Sequence, residues 1–459
     1  MGGVLSKAFI YLSLCSPKLS QRYGRMTLLC AGDNGNSKAV LKCPLVTAND
    51  SECPPVKANS FTNDNSQDDG CQNSESSKDI RRLASRRANS ELLVSPRMKE
   101  LLEGLEVPGD SGNLPEEPQW LDRKLFNRGR QFYRRYLFCI FFSDLLALLM
   151  MFSMSRILKP LIYTERSDTI LRALRRYVST ILHIITWYSG DVWDPNDRAH
   201  KDIMTVRSIH SNSARIFNSS THYEKVTAID VKNMGHHEPM CPLNPTIRED
   251  IEPQVGPALP LENPNNPIVY ISQWDMLLTQ YSFLGVMVAH PSKMGAWWAS
   301  EEDLAGLIHF WRGIGFLLGI EDKYNFCRGT VKETQALCDE IEELIIKPRI
   351  AKADWNYEHM SSCLIEGINL MVPAVSYPAM FRFLADTLNI AVPAFVKRMS
   401  ILHTCQYWLM RFVFHFLFLV PGIVMLFNGL LKLALIIAQG QYPARLSKTQ
   451  NTVTSYTYT

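Results

Sequence analysis

The sequence predicts an all-α protein. Apolar residues recur at helical spacing from about residue 122 to residue 388. No stretch alternates with period two, and capping residues and Pro/Gly breakers sit where the helical runs begin and end. The first third reads differently. Asn, Ser, Asp and Pro dominate from Asn49 to Ser77, so 1–117 is expected to be a disordered polar tail. The division that follows is tail 1–117, helical domain 118–400 and an apolar membrane-anchoring segment 405–440.

The helical runs are read in chain order. A basic, aromatic helix at 122–136 enters an apolar run at 137–155 whose sole charge is Asp144. This run nears the ~20 residues that cross a bilayer. It equally fits a buried helix, and a mid-membrane charge costs roughly 2.5–3.5 kcal/mol, which favours burial. Helices are expected at 167–188 and 200–217, then a long loop at 218–266 that ends in Pro257, Pro260, Pro264 and Pro267. An amphipathic helix is expected at 272–289. Ser300, followed by Glu301, Glu302 and Asp303, caps the next, which ends near Gly319. Further helices are expected at 330–346, 358–371 and 377–388. The run 412–431 is charge-free and preceded by Tyr407 and Trp408, as interfacial aromatics precede a transmembrane helix. Pro421 would kink that span or split it into half-helices.

Composition bounds function. A net charge of +3 gives no electrostatic case for nucleic acid. The eleven cysteines form no CxxC and no zinc spacing, which fits free thiols in a reducing compartment. Met1-Gly2 through Ser6 fits an N-acylation pattern at Gly2. Ser85 and Ser90 follow basic residues as phosphoacceptors do.

The candidate site comes from two helices. Arg176 and Thr180 are i, i+4 neighbours and offer a cation and a hydroxyl on one face. His210 lies on the following helix. An axial imidazole on one side and hydrogen-bond donors on the other is what a haem site requires. Other candidates have plainer readings. His309 reads as a core hydrogen-bonding residue and Asp275 as an ion-pair partner of Arg207 or Arg312. His236, His237 and Cys241 read as solvated loop residues before metal ligands. Gly313, Gly315 and Gly319 allow close helix packing, since no strand precedes them to make a dinucleotide fingerprint.

Four segments in this order carry a resemblance. They are Arg175-Arg176-Tyr177-Val178-Ser179-Thr180, Val206-Arg207-Ser208-Ile209-His210, Ile271-Ser272-Gln273-Trp274-Asp275-Met276, and His309-Phe310-Trp311-Arg312-Gly313-Ile314-Gly315-Phe316-Leu317-Leu318-Gly319-Ile320. Over 118–400 the chain resembles the family of the ER-bound oxygenase mpaB and the rubber oxygenase (latex clearing protein) catalytic domain. Residues 120–144 are similar to the arthropod form. The resemblance implies a globin-like helical core that binds haem b and uses dioxygen. His210 would be the axial iron ligand and Arg176 and Thr180 the distal residues. The substrate would be apolar, isoprenoid-like or lipid, and cleaved at a C=C bond; the alternative is a non-catalytic haem- or lipid-binding membrane protein. Membrane lipid would be a partner, at the endoplasmic reticulum or another internal membrane. Ser179 stands where rubber oxygenases carry a lysine, which argues against rubber. No counterpart of their catalytic glutamate is assigned.

Overall fold

Asp122 accepts hydrogen bonds from the backbone N–H groups of Lys124 and Leu125 and so starts the longest helix among the described residues. The computed structural model describes residues 94–441 apart from 241, 263, 264 and 373, all within one of the chain's two units, Leu92–Thr459. Among the described residues there is no strand, only one isolated bridge between Pro108 and Ser272. The all-α expectation holds.

The larger helices are α1 (Pro96–Leu102), α2 (Arg123–Met151), α3 (Ser155–Tyr163), α4 (Ile170–Ser189), α5 (Arg198–Phe217), α6 (Tyr223–Ala228) and α7 (Asn244–Ile251). They continue as α8 (Gln273–Ala289), α9 (Glu301–Leu317), α10 (Val331–Ile341), α11 (Trp355–Asn369), α12 (Tyr377–Thr387), α13 (Ile401–His415) and α14 (Ile423–Gln441). A π-helical turn, Glu342–Ile346, follows α10 directly. α2 is the central member and packs against α8, α9 and α14. At its crossing with α9, Gly129 and Gly306 meet backbone to backbone. A Cβ at Gly129 would lie 2.3 Å from the Gly306 carbonyl oxygen. Gly313 and Gly315 likewise press against Phe126 and Gln280, as packing glycines should. α4 lies between α5 and α11.

Sequence-derived boundaries hold where a cap sets them. Ser300 and Asp303 form a reciprocal capping box at α9, and Ser272 and Asp275 form one at α8. Four expectations change. First, order begins earlier than residue 118. Ser95 caps α1, Met98 and Leu101 are fully buried, and Asp110 is ion-paired. The rest of the tail, with Gly2, Ser85 and Ser90, lies outside the described residues. Second, the loop 218–266 contains α6, α7 and the 3-10 turn Val231–Met234. Pro245 in the first turn of α7 and the Asp230 cap supply start signals that a Pro- and Asn-rich composition hides. Third, α8 is buried nearly all round rather than amphipathic, because α2, α9 and α10 enclose it.

The fourth change concerns the membrane. The apolar half of α2 is buried in protein, so the buried-helix reading of 137–155 stands. Asp144 sits there with its pKa pushed well up by burial. The C-terminal run is no continuous span. α13 ends at His415, and Pro421 and Gly422 (φ +88°) separate it from α14. Among the described residues no single helix is long and apolar enough to cross a membrane. α2 and α3 together pass by length and composition, but they meet at 99°.

α14 is also tied to the protein by a polar contact. At Tyr136 the α2 backbone leaves helical geometry (φ −117°, ψ 27°). The Asn428 side chain fills the break. Its Oδ1 accepts from Phe138 N at 2.8 Å, and its Nδ2 donates to the Arg135 and Arg134 carbonyls at 2.8 and 3.3 Å.

One ion pair gathers the site-forming segments. Arg156 on α3 and Asp275 on α8 are both buried, with Nε donating to Oδ1 at 2.6 Å. The same guanidinium donates to the carbonyls of Leu261 (2.9 Å) and Val269 (3.1 Å) and to Ser272 Oγ (3.1 Å). Asp275 therefore pairs with Arg156, and the expected partners are engaged elsewhere: Arg207 with Asp110, Arg312 with Asp322.

Arg156→Met should cost about 3–5 kcal/mol in denaturant unfolding, because it strands a buried carboxylate. Asn428→Leu should cost about 1–3 kcal/mol by the same measurement, because it leaves the groups at the α2 break unpaired.

Candidate functional site

α4 and α5 run side by side and bring the sequence candidates into electrostatic range. His210 is on α5, about two turns before the helix ends at Phe217 and its cap Asn218. Burial, and then the positive charge of Arg176, hold its imidazole down to about 4, against a partial opposing pull from Asp110. At neutral pH the ring is uncharged. Nδ1 is buried and has no hydrogen-bond partner. Among the described residues no hydrogen bond reaches Nε2 either. An orphaned buried ring nitrogen costs about 1–3 kcal/mol and calls for an explanation by a ligand or a water.

His210 stands in the wall of a cavity of about 760 Å³, within the usual ~300–1,000 Å³ of small-molecule sites. Ile268, Val269, Ile271, Met276 and Leu318 supply apolar wall, and Asp110, Arg215, Glu224 and Tyr270 supply polar groups. Asp110 is held at about 2, where hydrogen bonds from Arg207, Ser211 and the Gly112 N–H outweigh its burial. Arg207 Nε reaches it at 3.1 Å and Ser211 Oγ at 2.6 Å. This locks α5 to the segment before α2. Asp110 was missed in the sequence because it falls within the stretch whose average composition is polar. The Pro108-Gly109-Asp110 turn was its available signal.

Arg176 is half-buried, and burial lowers its pKa. Its Nη1 donates to Thr164 Oγ1 at 3.2 Å. Among the described residues no carboxylate pairs with it. Thr180 Oγ1 donates to the Arg176 carbonyl at 3.2 Å, so its proton is turned back onto the helix and only its lone pairs remain free. Ser179 is half-buried on α4. The outcome for the three candidates is that His210 lines the cavity, Arg176 acts on His210 through charge, and Thr180 bonds back to its own helix; Arg176 and Thr180 are not among the residues lining that cavity.

The remaining candidates take structural roles. His309 Nε2 accepts from the Asp122 N–H at 2.9 Å, a core contact. His236 Nε2 lies 3.2 Å from Asp168 Oδ2, and its ring stacks on His359 at 4.4 Å. His237 is exposed, and Cys241 lies outside the described residues. Among the described residues no group of three or more His, Cys, Asp or Glu is placed to hold a metal ion. Cys139, Cys327, Cys338, Cys363 and Cys405 are free thiols, as expected.

A haem site asks only one ligand of the protein. A neutral imidazole with no hydrogen bond, beside an apolar cavity and an unpaired guanidinium, fits that requirement. The chain matches no protein-family model and no curated protein. Among solved structures, the closed state of latex clearing protein is similar over 79% of this chain and 86% of that one, at 14% identity and a TM-score of 0.46. The site is therefore read from its own residues.

Free histidine titrates near 6.5 and His210 near 4. Between those values acid protonates the unfolded chain and not the native one, so His210 withdraws stability as pH falls from 6.5 to 4. Cofactor-free His210→Gln should lose less stability over that window than the parent chain, by up to about 3 kcal/mol, as read by urea melts at both ends.

Proposed function

We propose that the chain is a haem b-dependent oxygenase that acts on an apolar, isoprenoid-like or lipid substrate. The carrying observation is His210: a neutral, unbonded imidazole beside the unpaired Arg176 charge. When bound, haem supplies an iron centre that brings dioxygen to an electron-rich C=C bond. His210 holds the group through a ring nitrogen that needs no deprotonation at neutral pH. Arg176 contributes a fixed positive charge and free N–H donors where negative charge would develop, in a water-poor setting that magnifies their effect. Thr164 Oγ1 accepts from Arg176 Nη1 and orients the guanidinium. The apolar walls at Ile268, Ile271 and Met276 exclude water and accept a hydrocarbon chain. Cleavage of C=C by dioxygen places one oxygen atom on each carbon, yields two carbonyls and needs no outside electron donor. Ser179, where rubber oxygenases carry a lysine, would offer no amine to bound haem, which separates this reading from rubber cleavage.

The purified full chain, supplied with haem, should show a Soret band that shifts under CO after reduction. His210→Ala should lose that band while keeping its helical circular dichroism. Arg176→Ala should keep the band and slow oxygen uptake with unsaturated lipid by about a hundredfold or more. Stoichiometric haem in His210→Ala would overturn the ligand assignment. A Soret band without oxygen uptake on any unsaturated lipid would leave a haem-binding protein.

A further inference from the structure

The last two helices are apolar on both faces. Their inner stripes, Tyr407, Met410 and Phe414 on α13 and Val424, Leu431 and Leu435 on α14, are buried. Both helices lean on one ring of α2: Phe138 lies 6.0 Å from Phe414 and 5.1 Å from Phe427. Their outer stripes point away from that contact and are just as apolar. Trp408 is 56% exposed, Phe412 54%, Phe416 64%, Met425 70% and Ile436 64%. The outer stripes carry one charge, Lys432. Soluble monomers rarely expose a contiguous apolar surface beyond a few hundred Å².

Charge identifies the occupant. The whole chain is nearly balanced, with 48 Lys and Arg against 45 Asp and Glu. From Thr387 to Thr459 there is no acid, while Lys397, Arg398, Arg411, Lys432, Arg445 and Lys448 are basic; of these Arg411 is paired with Asp386 of α12. Arg134 and Arg135, beside the Asn428 contact, add exposed cations. Arg382 stacks over Tyr407 at 3.8 Å and reaches Trp408 at 5.7 Å, an aromatic–guanidinium edge of the kind that seats at headgroup level. A second copy of this face would set cation against cation. An anionic lipid surface matches both the apolar stripe and the basic rim.

We propose that the outer face of α13 and α14 docks on an anionic phospholipid bilayer and lies within one leaflet without crossing it. At 1.5 Å per residue the two helices are about 22 and 28 Å long, each short of the ~30 Å hydrocarbon core. Pro421 and Gly422 prevent their fusion, and Asn428 holds α14 to the protein. This inference stands apart from the haem reading.

The test is flotation of the full-length chain with phosphatidylcholine vesicles, with and without phosphatidylserine. The chain should float with the acidic vesicles, less well with neutral ones, and less well as salt is raised. Phe412→Glu/Phe416→Glu and Ile436→Glu/Ile437→Glu should each lower the partition about tenfold or more with an unchanged melting temperature, since these side chains are exposed. Should a double variant fail to fold, quenching by brominated lipid decides: the parent chain should lose fluorescence that Trp408→Phe does not lose. Failure to float with either vesicle, or equal floating of the Glu variants, overturns the proposal. So does a dimer that Phe412→Glu/Phe416→Glu dissolves without changing flotation. A C-terminal tag protected inside sealed vesicles would mean that the segment crosses the bilayer, and overturns it too.

Discussion

The site depends on the buried pair Arg156–Asp275. Two charges removed from water gain from each other only when their remaining donors and lone pairs are also used, and here they are. Asp275 accepts from Arg156 while its other oxygen accepts from the Ser272 N–H at the start of α8. Arg156 spends its other donors on carbonyls of the 261–272 segment. One carboxylate thus caps a helix and anchors the cation that holds the neighbouring loop. The loop responds with strain: Ile271 sits at φ +54°, a costly conformation for a β-branched residue. Val269, Tyr270 and Ile271, held in this way, form one wall of the cavity beside His210. Gln273 extends the brace. Its Nε2 donates to the Gly109 and Gly319 carbonyls at 3.0 Å each, which fixes the turn carrying Asp110.

From that brace the electrostatics of the site follow. Asp110 takes the charge of Arg207 and so sets the register of α5 against the wall. Arg207 is thereby neutralised, three residues before His210, whereas Arg176 has no carboxylate partner among the described residues. Two groups then share one low-dielectric region under opposite demands. The cation would be steadied by an anion, and the imidazole is kept neutral by that same cation. A ligand that coordinates through a neutral nitrogen and develops negative charge on its reactive side meets both demands at once. A carboxylate between them would satisfy Arg176, raise the histidine and end the arrangement. Its absence among the described residues is what separates this pair from an ordinary core ion pair.

Much of the fold was legible because its signals are local. Ser300 with Asp303, and Ser272, announce helix starts within four residues. The 3.6-residue periodicity marks α4 and α5, and of the residues singled out on them the charge of Arg176 reaches His210. What was not legible is long-range or averaged. Asp275 lies 119 positions from Arg156, and no local pattern could choose Arg156 over Arg207 or Arg312. Asp110 and α1 were absorbed into a tail whose mean composition is polar, although Met98 and Leu101 are individually core residues. α8 looks amphipathic only until three helices enclose it. Charge-counting also treats Asp144 as an ordinary carboxylate, whereas burial pushes its pKa well up.

The C-terminal helices illustrate the remaining ambiguity. Hydropathy counts apolar residues and cannot say how many faces they occupy or what covers each. In α14 one face is settled by Asn428. A helix break at Tyr136 frees two carbonyls and an N–H, and buried backbone groups of that kind must find partners. Asn is suited to the task because its amide both donates and accepts. A helix that spends its central polar side chain on a neighbour's backbone is part of the protein core along that face, whatever its mean hydropathy. Lipid can then meet only the opposite face, where Lys432 is the sole charge. Length, break and polar tether all act in the same direction: they permit contact with a bilayer surface and oppose passage through it.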